Sequence, residues 1–587
     1  MCSSFFVSQK KDDTENSMNV SLKDGLNEIQ KIVSPKWFND DKTTPIYQKG
    51  RMANPEAIEP LAYVYPKNRE EIQAILKTAN EYGIAIWPTS KGKNSGFGSA
   101  TSKQEDNVVM VLERLNRIIE VDETLGYAVL EPGVTFQDLH DYLNENNINL
   151  CIDAIDGPAD GSVLGNALER GRGGTNYGDH FSNLCGVEFI LPNGEVMKTG
   201  GGPQNSQSWN VYKYGVGPSV DGLFTQGNFG VAIQGGIWLM PKHECCTSIF
   251  FELHSSEQLK KAIGIFQQLQ LNGVIESTVR LGTEYALMSG VLTYPKHLAK
   301  EGFLGQSALD QLRSEHNVGL WGAAASIYGS KEVVKVKQKI IKKAFKGFGP
   351  IAFIGDKQAD FLAKVVNSGD GSGEYNPLHW LVGKLLKAVT KKELKFLRPT
   401  INIHNFYHRG VPTDHAVERG AFGKPACPGC EQPKEGVENT EGIIWFAPVV
   451  PNRGEVIDHV NTSCKRIFHE YKFDYAAGIF LYGPRSGMVI SKIIYDKSIE
   501  GEAERALQAL KALHDWATEE GFQVYRSSIS MMDYVLDCNP EYKDFIGKIK
   551  RAVDPNNIIA PGKYGIGSME SPDKVLLGND KTETEMA

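Results

Sequence analysis

The 587-residue sequence predicts an α+β fold built from more than one domain. Three observations lead there. Strand–helix–strand texture starts near residue 61 and recurs as far as residue 519. Glycine makes up about a tenth of the chain (60 residues), with three separated glycine-rich blocks in the N-terminal half. The hydrophobic fraction of 41% and charged fraction of 23% are those of an ordinary globular protein. At about 100–200 residues per domain, this length calls for two or three.

Residues 21–33 follow a polar stretch and have the spacing of a short amphipathic helix. Residues 61–65 (LAYVY) read as a strand, 68–82 as a helix with Ile72, Ile75, Leu76 and Ala79 on one face, and 84–88 (IAIWP) as a second strand. So compact a unit predicts a parallel pair joined by a crossover helix. Strands follow at 108–112, 118–121 and 128–130, then a helix over 134–147 with Leu139, Tyr142 and Leu143 on one face. Asn193-Gly194 marks a hairpin between 187–191 and 195–198. A strand over 231–241 closes at Pro241, where a domain boundary is placed. Beyond it, strands at 247–253, 277–281, 320–328 and 351–354 alternate with helices at 256–271 and 331–345. The texture returns with strands in 443–451 and 478–495 and helices at 454–472 and 501–519, which predicts an antiparallel sheet flanked by helices. The tail reads as a helix over 542–559 followed by Ala560-Pro561-Gly562-Lys563.

Composition excludes some functions. A net charge of −8 argues against a dedicated nucleic-acid binder. No run of 18 apolar residues is present, so no membrane span is expected. The N-terminus lacks the apolar core of a signal peptide, Glu585-Met586-Ala587 is not a peroxisomal address, and nine scattered cysteines fit a reducing compartment. A cytoplasmic protein is the expectation.

Residues 88–100 read PTSKGKNSGFGSA directly after a strand. Gly92, Gly96 and Gly98 permit positive φ, so successive backbone N–H groups can form a nest for a pyrophosphate. Lys91 and Lys93 add charge, and Thr89, Ser90, Asn94 and Ser95 add side-chain donors. An ordinary turn is the alternative. The block fits neither G-x-G-x-x-G nor G-x-x-x-x-G-K-[ST], so a dinucleotide bound here would occupy a different fold. Further blocks at 157–178 (GPADGSVLGNALERGRGGTNYG) and 222–236 (GLFTQGNFGVAIQGG) suggest one large ligand wrapped by backbone.

Together with YPKNREEIQAIL (65–76), LEPGVTFQDLHDYL (130–143), GNALERG (165–171), YGDH (177–180), GVEFILPNGEVMKTG (186–200), VYR (524–526) and AVDPNNIIAPGKYG (552–565), these segments resemble the vanillyl-alcohol oxidase and para-cresol methylhydroxylase family. The resemblance spans about residues 45–567 in order. It implies a PCMH-type FAD-binding domain of two α/β subdomains over 45–243, preceded by a tail and short helix over 1–44. A cap domain with a large antiparallel sheet would cover 244–520, a segment over 521–570 would return to the active site, and 571–587 would form a tail. By this likeness Pro88, Thr89, Ser90, Lys91, Gly92, Lys93, Asn94, Ser95 and Gly96 hold the pyrophosphate. Ser162, Gly165, Asn166, Glu169 and Gly178 line the flavin, Val231 and Ile233 meet it through their backbone, and Lys563 completes the set.

Members that oxidise para-alkylphenols bind the phenolate with tyrosines and an arginine, positions matched here by Tyr177, Tyr525 and Arg526. Forming a phenolate at neutral pH costs about 4 kcal/mol for a pKa near ~10, which a fixed guanidinium and hydroxyl donors can supply in a dry pocket. The resulting push toward the para carbon releases hydride to the flavin. Asp156 aligns with the family's acidic residue, with Asp153 and Asp160 as alternatives, and a turn role competes for each. Three departures stand out. Phe97 replaces a phenol-binding tyrosine, and with Trp445 it would wall the substrate pocket. Ile443 occupies the usual flavin-linking position and cannot form that bond, so FAD is expected to be non-covalent. Met488 stands where a histidine is expected.

The reading is therefore an FAD-dependent oxidase of a phenolic or otherwise activated benzylic or allylic carbon, with oxygen or another acceptor. It would act on a small, aromatic substrate and form a homodimer. The alternatives are a hydroxy-acid or alcohol oxidase, in which Arg526 would bind a carboxylate, and a redox-inactive flavin binder. Cys427 and Cys430 form a single C-x-x-C with His404, His408 and His415 nearby; free or locally paired thiols are expected rather than a metal site. Cys245 and Cys246 read as buried strand cysteines, and His180 as a hydrogen-bonded structural histidine. Residues 379–398 form a basic amphipathic stretch, read as a cap helix packed on one face, with an anionic membrane or partner as the alternative.

Overall fold

The computed structural model describes residues 21–43, 58–414 and 441–567, apart from residues 95, 99, 105, 156, 203, 204, 374 and 498. The first helix forms over 21–33 as its spacing predicts. The strands Ala62–Val64 and Ala85–Thr89 flank the helix Arg69–Tyr82. Asn68 caps that helix by accepting the Glu71 N–H, and Gly83 ends it at φ +67°. The two strands are parallel but not neighbours: Asn107–Val111 lies between them and pairs in parallel with each. All five residues of that strand are buried, as a strand covered on both sides requires.

The second subdomain is a five-stranded antiparallel sheet in the order Ile118–Asp122, Tyr127–Leu130, Val231–Trp238, Leu184–Ile190, Val196–Lys198. The predicted hairpin turns through Gly194 at φ +85°. The helix Phe136–Glu145, closed by a Thr135/Asp138 capping box, packs on this sheet through Phe136, Leu139 and Leu143. The strand expected over 231–241 breaks at Leu239. Met240–Pro241 leaves the sheet and pairs with Leu150–Cys151, an edge position suited to a proline that donates no N–H.

Nine antiparallel strands form the cap. Eight run in the order Ala352–Gly355, Cys245–Leu253, Trp321–Gly329, Val279–Thr283, Ala476–Leu481, Ser486–Asp496, Pro448–Pro451, Gln523–Val524, and Glu441–Phe446 also pairs with Ser486–Asp496. The helices Ser256–Leu271, Lys331–Ala344, Gly454–Glu470 and Glu502–Glu519 cover the sheet and close its core, where Phe251 and Phe266 each pack on Phe345 at 4.8 and 4.9 Å. Cys245 and Cys246 are half-buried at the start of their strand rather than fully buried, because the strand begins at the sheet's rim.

Two further expectations need correction. The stretch 379–398 is not one helix: Pro377–Thr390 ends at Lys391 with φ +55°, and Leu394–Leu397 forms a separate turn. The tail helix runs Pro540–Val553 and stops short of 559, because the Asp554 carboxylate accepts the N–H groups of Ile558 and Ile559 and Pro555 has none to offer. The released segment bridges Ile559 to Ile86 in parallel. With Gln523–Val524 on the cap sheet, the C-terminal segment touches both halves of the molecule.

Candidate active site

From the strand Ala85–Thr89, which ends on Pro88 and Thr89, the chain enters the glycine loop. Gly92, Gly96 and Gly98 have φ of +63°, +78° and +125°, a region that side chains other than glycine's rarely adopt. A β-carbon on Gly96 would strike the Trp445 indole. That close approach lets Trp445 donate its backbone N–H to the Gly96 carbonyl at 3.4 Å and stack on Phe97 at 6.4 Å. Ser90 lies against Gly165, where a β-carbon would not fit. Lys91 is half-buried, Lys93 pairs with Asp160 at 2.5 Å, and Ser95 lies outside the described residues.

Ser162 caps the short helix Val163–Leu168, accepting the Gly165 N–H and donating to the Pro132 carbonyl. Asn166 meets His180 Nδ1 at 2.6 Å, and His180 Nε2 meets Asp153 at 2.8 Å. The other Asp153 oxygen accepts the Thr175 N–H at 2.7 Å. His180 is thus held on both nitrogens. Of the acidic candidates, Asp153 is buried with both oxygens engaged, Asp160 is exposed beside Lys93, and Asp156 lies outside the described residues. Tyr177 lines a pocket with Asp153, His180, Asn183 and Trp238, a lining that includes neither Tyr525 nor Arg526. Gly178 accepts the Gly173 N–H through its carbonyl, and Val231 and Ile233 are buried in their strand.

The C-terminal return brings a cation to the glycine loop. Tyr525 donates its backbone N–H to Ala447, and its carbonyl accepts from Gln226. Arg526 donates to Asn94 Oδ1 at 2.6 Å, sits 4.4 Å over the Phe97 ring and lies 3.7 Å from Glu169. Lys563 pairs with the other Glu169 oxygen at 2.6 Å. Asn94, expected to face the pyrophosphate, therefore positions the arginine through its side chain.

Burial alone would raise the Glu169 carboxyl, but Lys563 and Arg526 outweigh it and hold the group below its ordinary range. The sign follows: its stabilisation is present above the ordinary carboxylate range and is lost as pH falls through the lowered native value. Glu169→Gln is expected to flatten that part of the acid limb, measured as urea midpoints between about pH 3 and 7. Phe97→Tyr would place a hydroxyl beside the guanidinium and, if the ligand there is a phenol, is expected to tighten its binding about fivefold, the effect of one hydrogen bond, measured by titration of the flavin spectrum.

Four residues were not legible beforehand: Arg172, Arg280, Tyr407 and Tyr482. Arg172 pairs with Asp179 at 2.7 Å and lies 5.2 Å from the Tyr482 ring. Arg280 sits 5.8 Å from the Tyr407 ring, and Tyr407 approaches where Gly174 has no side chain. Only Arg172 falls in a recognisable motif, the glycine-rich block 157–178; the other three come from the cap. Burial first, and the neighbouring phenols Tyr407 and Tyr525 second, hold the Tyr482 hydroxyl well above its usual range against Arg172 and Arg280. Burial likewise raises Tyr525, opposed by Arg526 and Arg172. A phenol is already neutral at pH 7 with its ordinary pKa near ~10, and burial keeps both so.

Ile443 pairs with Ile494, and its carbonyl faces Gly96; Met488 is buried opposite Val449. Among the described residues no group of three or more His, Cys, Asp or Glu could hold a metal. His404 and His408 each meet Ser248 Oγ at 2.7 Å, while His415, Cys427 and Cys430 lie outside the described residues. Arg170 Nε and Ser528 Oγ are buried without hydrogen-bond partners, and the buried Tyr564 hydroxyl, beside the Ser527 backbone, feels both Glu169 and Arg526. A polar ligand along the glycine loop and Glu169 would meet such groups, so the residues fit a flavin nucleotide.

The FAD binding domain family matches residues 60–200. The 4-cresol dehydrogenase [hydroxylating] flavoprotein subunit of Pseudomonas putida is 31% identical over 510 residues, covering 86% of this chain and 88% of that one. A crystal structure of p-cresol methylhydroxylase with substrate bound superposes with a TM-score of 0.79 at 28% identity, covering 93% of this chain and 97% of the other. The 4-ethylphenol oxidase from Gulosibacter chungangensis, in an isoeugenol complex, gives 0.80 at 25% identity over the same shares. Sequence likeness over most of both chains, together with a fold that superposes over most of both, means that the chain belongs to the para-cresol methylhydroxylase family of FAD-binding oxidoreductases.

Proposed function

We propose that this enzyme oxidises a para-alkylphenol-like substrate, or one with a similarly activated benzylic or allylic carbon, using non-covalently bound FAD and molecular oxygen as acceptor. The observation that carries the reading is Arg526, buried, fixed by Asn94 and stacked on Phe97 beside Trp445. A buried guanidinium with one preset geometry stabilises a phenolate without reorganising. Tyr525, in contact with Arg526, and Tyr482, near Tyr525 and Arg172, would serve as neutral donors to the same anion. Phe97 and Trp445 form an apolar wall that excludes water and suits an aromatic ring. Asp156 is assigned the proton released when water adds to the oxidised carbon. FAD, when bound, supplies the hydride acceptor.

Under argon, a para-alkylphenol is expected to bleach the flavin absorbance, whereas 2-hydroxy acids are expected to leave it unchanged. The reverse pattern would assign Arg526 to a substrate carboxylate. Ile443 has no nucleophilic atom, so acid precipitation is expected to release the flavin into the supernatant; colour retained in the pellet would disprove the non-covalent assignment.

A further inference from the structure

We propose that the cap helix Pro377–Thr390 seats the enzyme on an anionic lipid surface. The helix is apolar on two faces. Its inner face packs against the helix Asp356–Asp370 and the turn Leu394–Leu397, where Gly383 is buried against Val365 and Leu394. The outer face carries Leu378, Leu381, Leu385 and Val389, exposed by 62, 60, 64 and 73%. Their spacing of three, four and four places them in one stripe. Two exposed aromatics enlarge the patch: Phe361 lies 5.5 Å from His379, and Tyr375 lies 6.4 Å from Trp380. Isolated exposed leucines are ordinary, but a continuous apolar stripe on one helix marks an interaction surface.

Charge selects the occupant. Lys384, Lys387 and Lys391 form an exposed row to one side of the stripe, with Lys384 nearest to it, beside Leu381 and Leu385. Lys384 lies 3.8 Å over the Trp380 ring, with its stem along the apolar surface, the posture of a lysine that snorkels. An apolar stripe rimmed by lysines matches acyl chains beneath anionic headgroups. A second copy of this chain fits less well, because a two-fold contact through the stripe would set each lysine row against its own image. A helix of 14 residues is too short to span a bilayer, and among the described residues no helix is long and apolar enough to do so. The helix would therefore lie in the interface plane.

The test is sedimentation of the full-length holoenzyme with vesicles of phosphatidylcholine alone or mixed with phosphatidylserine. Binding is expected only to the mixed vesicles and should weaken with salt. Leu385→Asp is expected to weaken it about tenfold or more, and Lys387→Glu about fivefold or more, with flavin content and turnover unchanged since neither residue touches the active site. Failure of the wild-type enzyme to bind mixed vesicles, or equal binding by Leu385→Asp, overturns the proposal. So does a concentration-dependent dimer that Leu385→Asp dissociates while neither form binds lipid; that result assigns the stripe to a second copy.

Discussion

Replacing Arg526 by alanine is expected to slow anaerobic flavin reduction by a para-alkylphenol about 10²–10³-fold, the usual cost of removing one preorganised donor from an anion site. The guanidinium is buried, hydrogen-bonded to Asn94 and stacked on Phe97, so it is held in one geometry. Its loss also leaves Glu169 with Lys563 as its close ion-pair partner. The pH dependence separates the charge effect from a packing effect. Near about pH 10 the phenol ionises unaided, so the defect should shrink there. A defect equal at all pH values would show that Arg526 does not stabilise the phenolate. Arg526→Lys keeps the charge but cannot both bond Asn94 and stack as a plane, so an intermediate rate is expected. Stopped-flow reduction across pH measures all three enzymes.

The largest effect on stability is expected at Lys550. Its ammonium is buried and uses all three hydrogens: on Asp554 at 2.6 Å and on the carbonyls of Asn228 and Ile559 at 2.7 Å each. Asp554 in turn accepts the N–H groups of Ile558 and Ile559. This knot ends the helix Pro540–Val553 and lays the following segment against the strand Ala85–Thr89. Lys550→Ala leaves a buried carboxylate and two unpaired carbonyls and is expected to cost about 3–5 kcal/mol, read from urea midpoints. Lys563 and Tyr564 lie just beyond the knot, so flavin retention on gel filtration should fall with it. Lys550→Met with Asp554→Asn removes both charges and should recover part of the loss. If Lys550→Ala unfolds like the wild type, the ion pair is not what holds the C-terminal segment.

Much of this molecule was legible before its structure. The helix at 256–271 ends where its apolar spacing ends, because a 3.6-residue period that buries Leu259, Ala262, Ile263, Phe266 and Leu269 is a local property. The glycine loop was legible because positive φ at Gly92, Gly96 and Gly98 is something only glycine offers cheaply. The adjacent pair Tyr525-Arg526 was legible only through the resemblance of VYR (524–526) to the family. What tertiary structure decided is everything that joins distant segments. Asn107–Val111 was visible as a strand, but its place between two strands of an apparent pair depends on burial from both sides. Arg172 meets Tyr482 across 310 residues, with no periodicity linking them. The helix Pro377–Thr390 is apolar on both faces, so its pattern could not say which face the cap would take. Local sequence sets which backbone shapes and faces are available, and the competition among all faces for burial sets which of them meet.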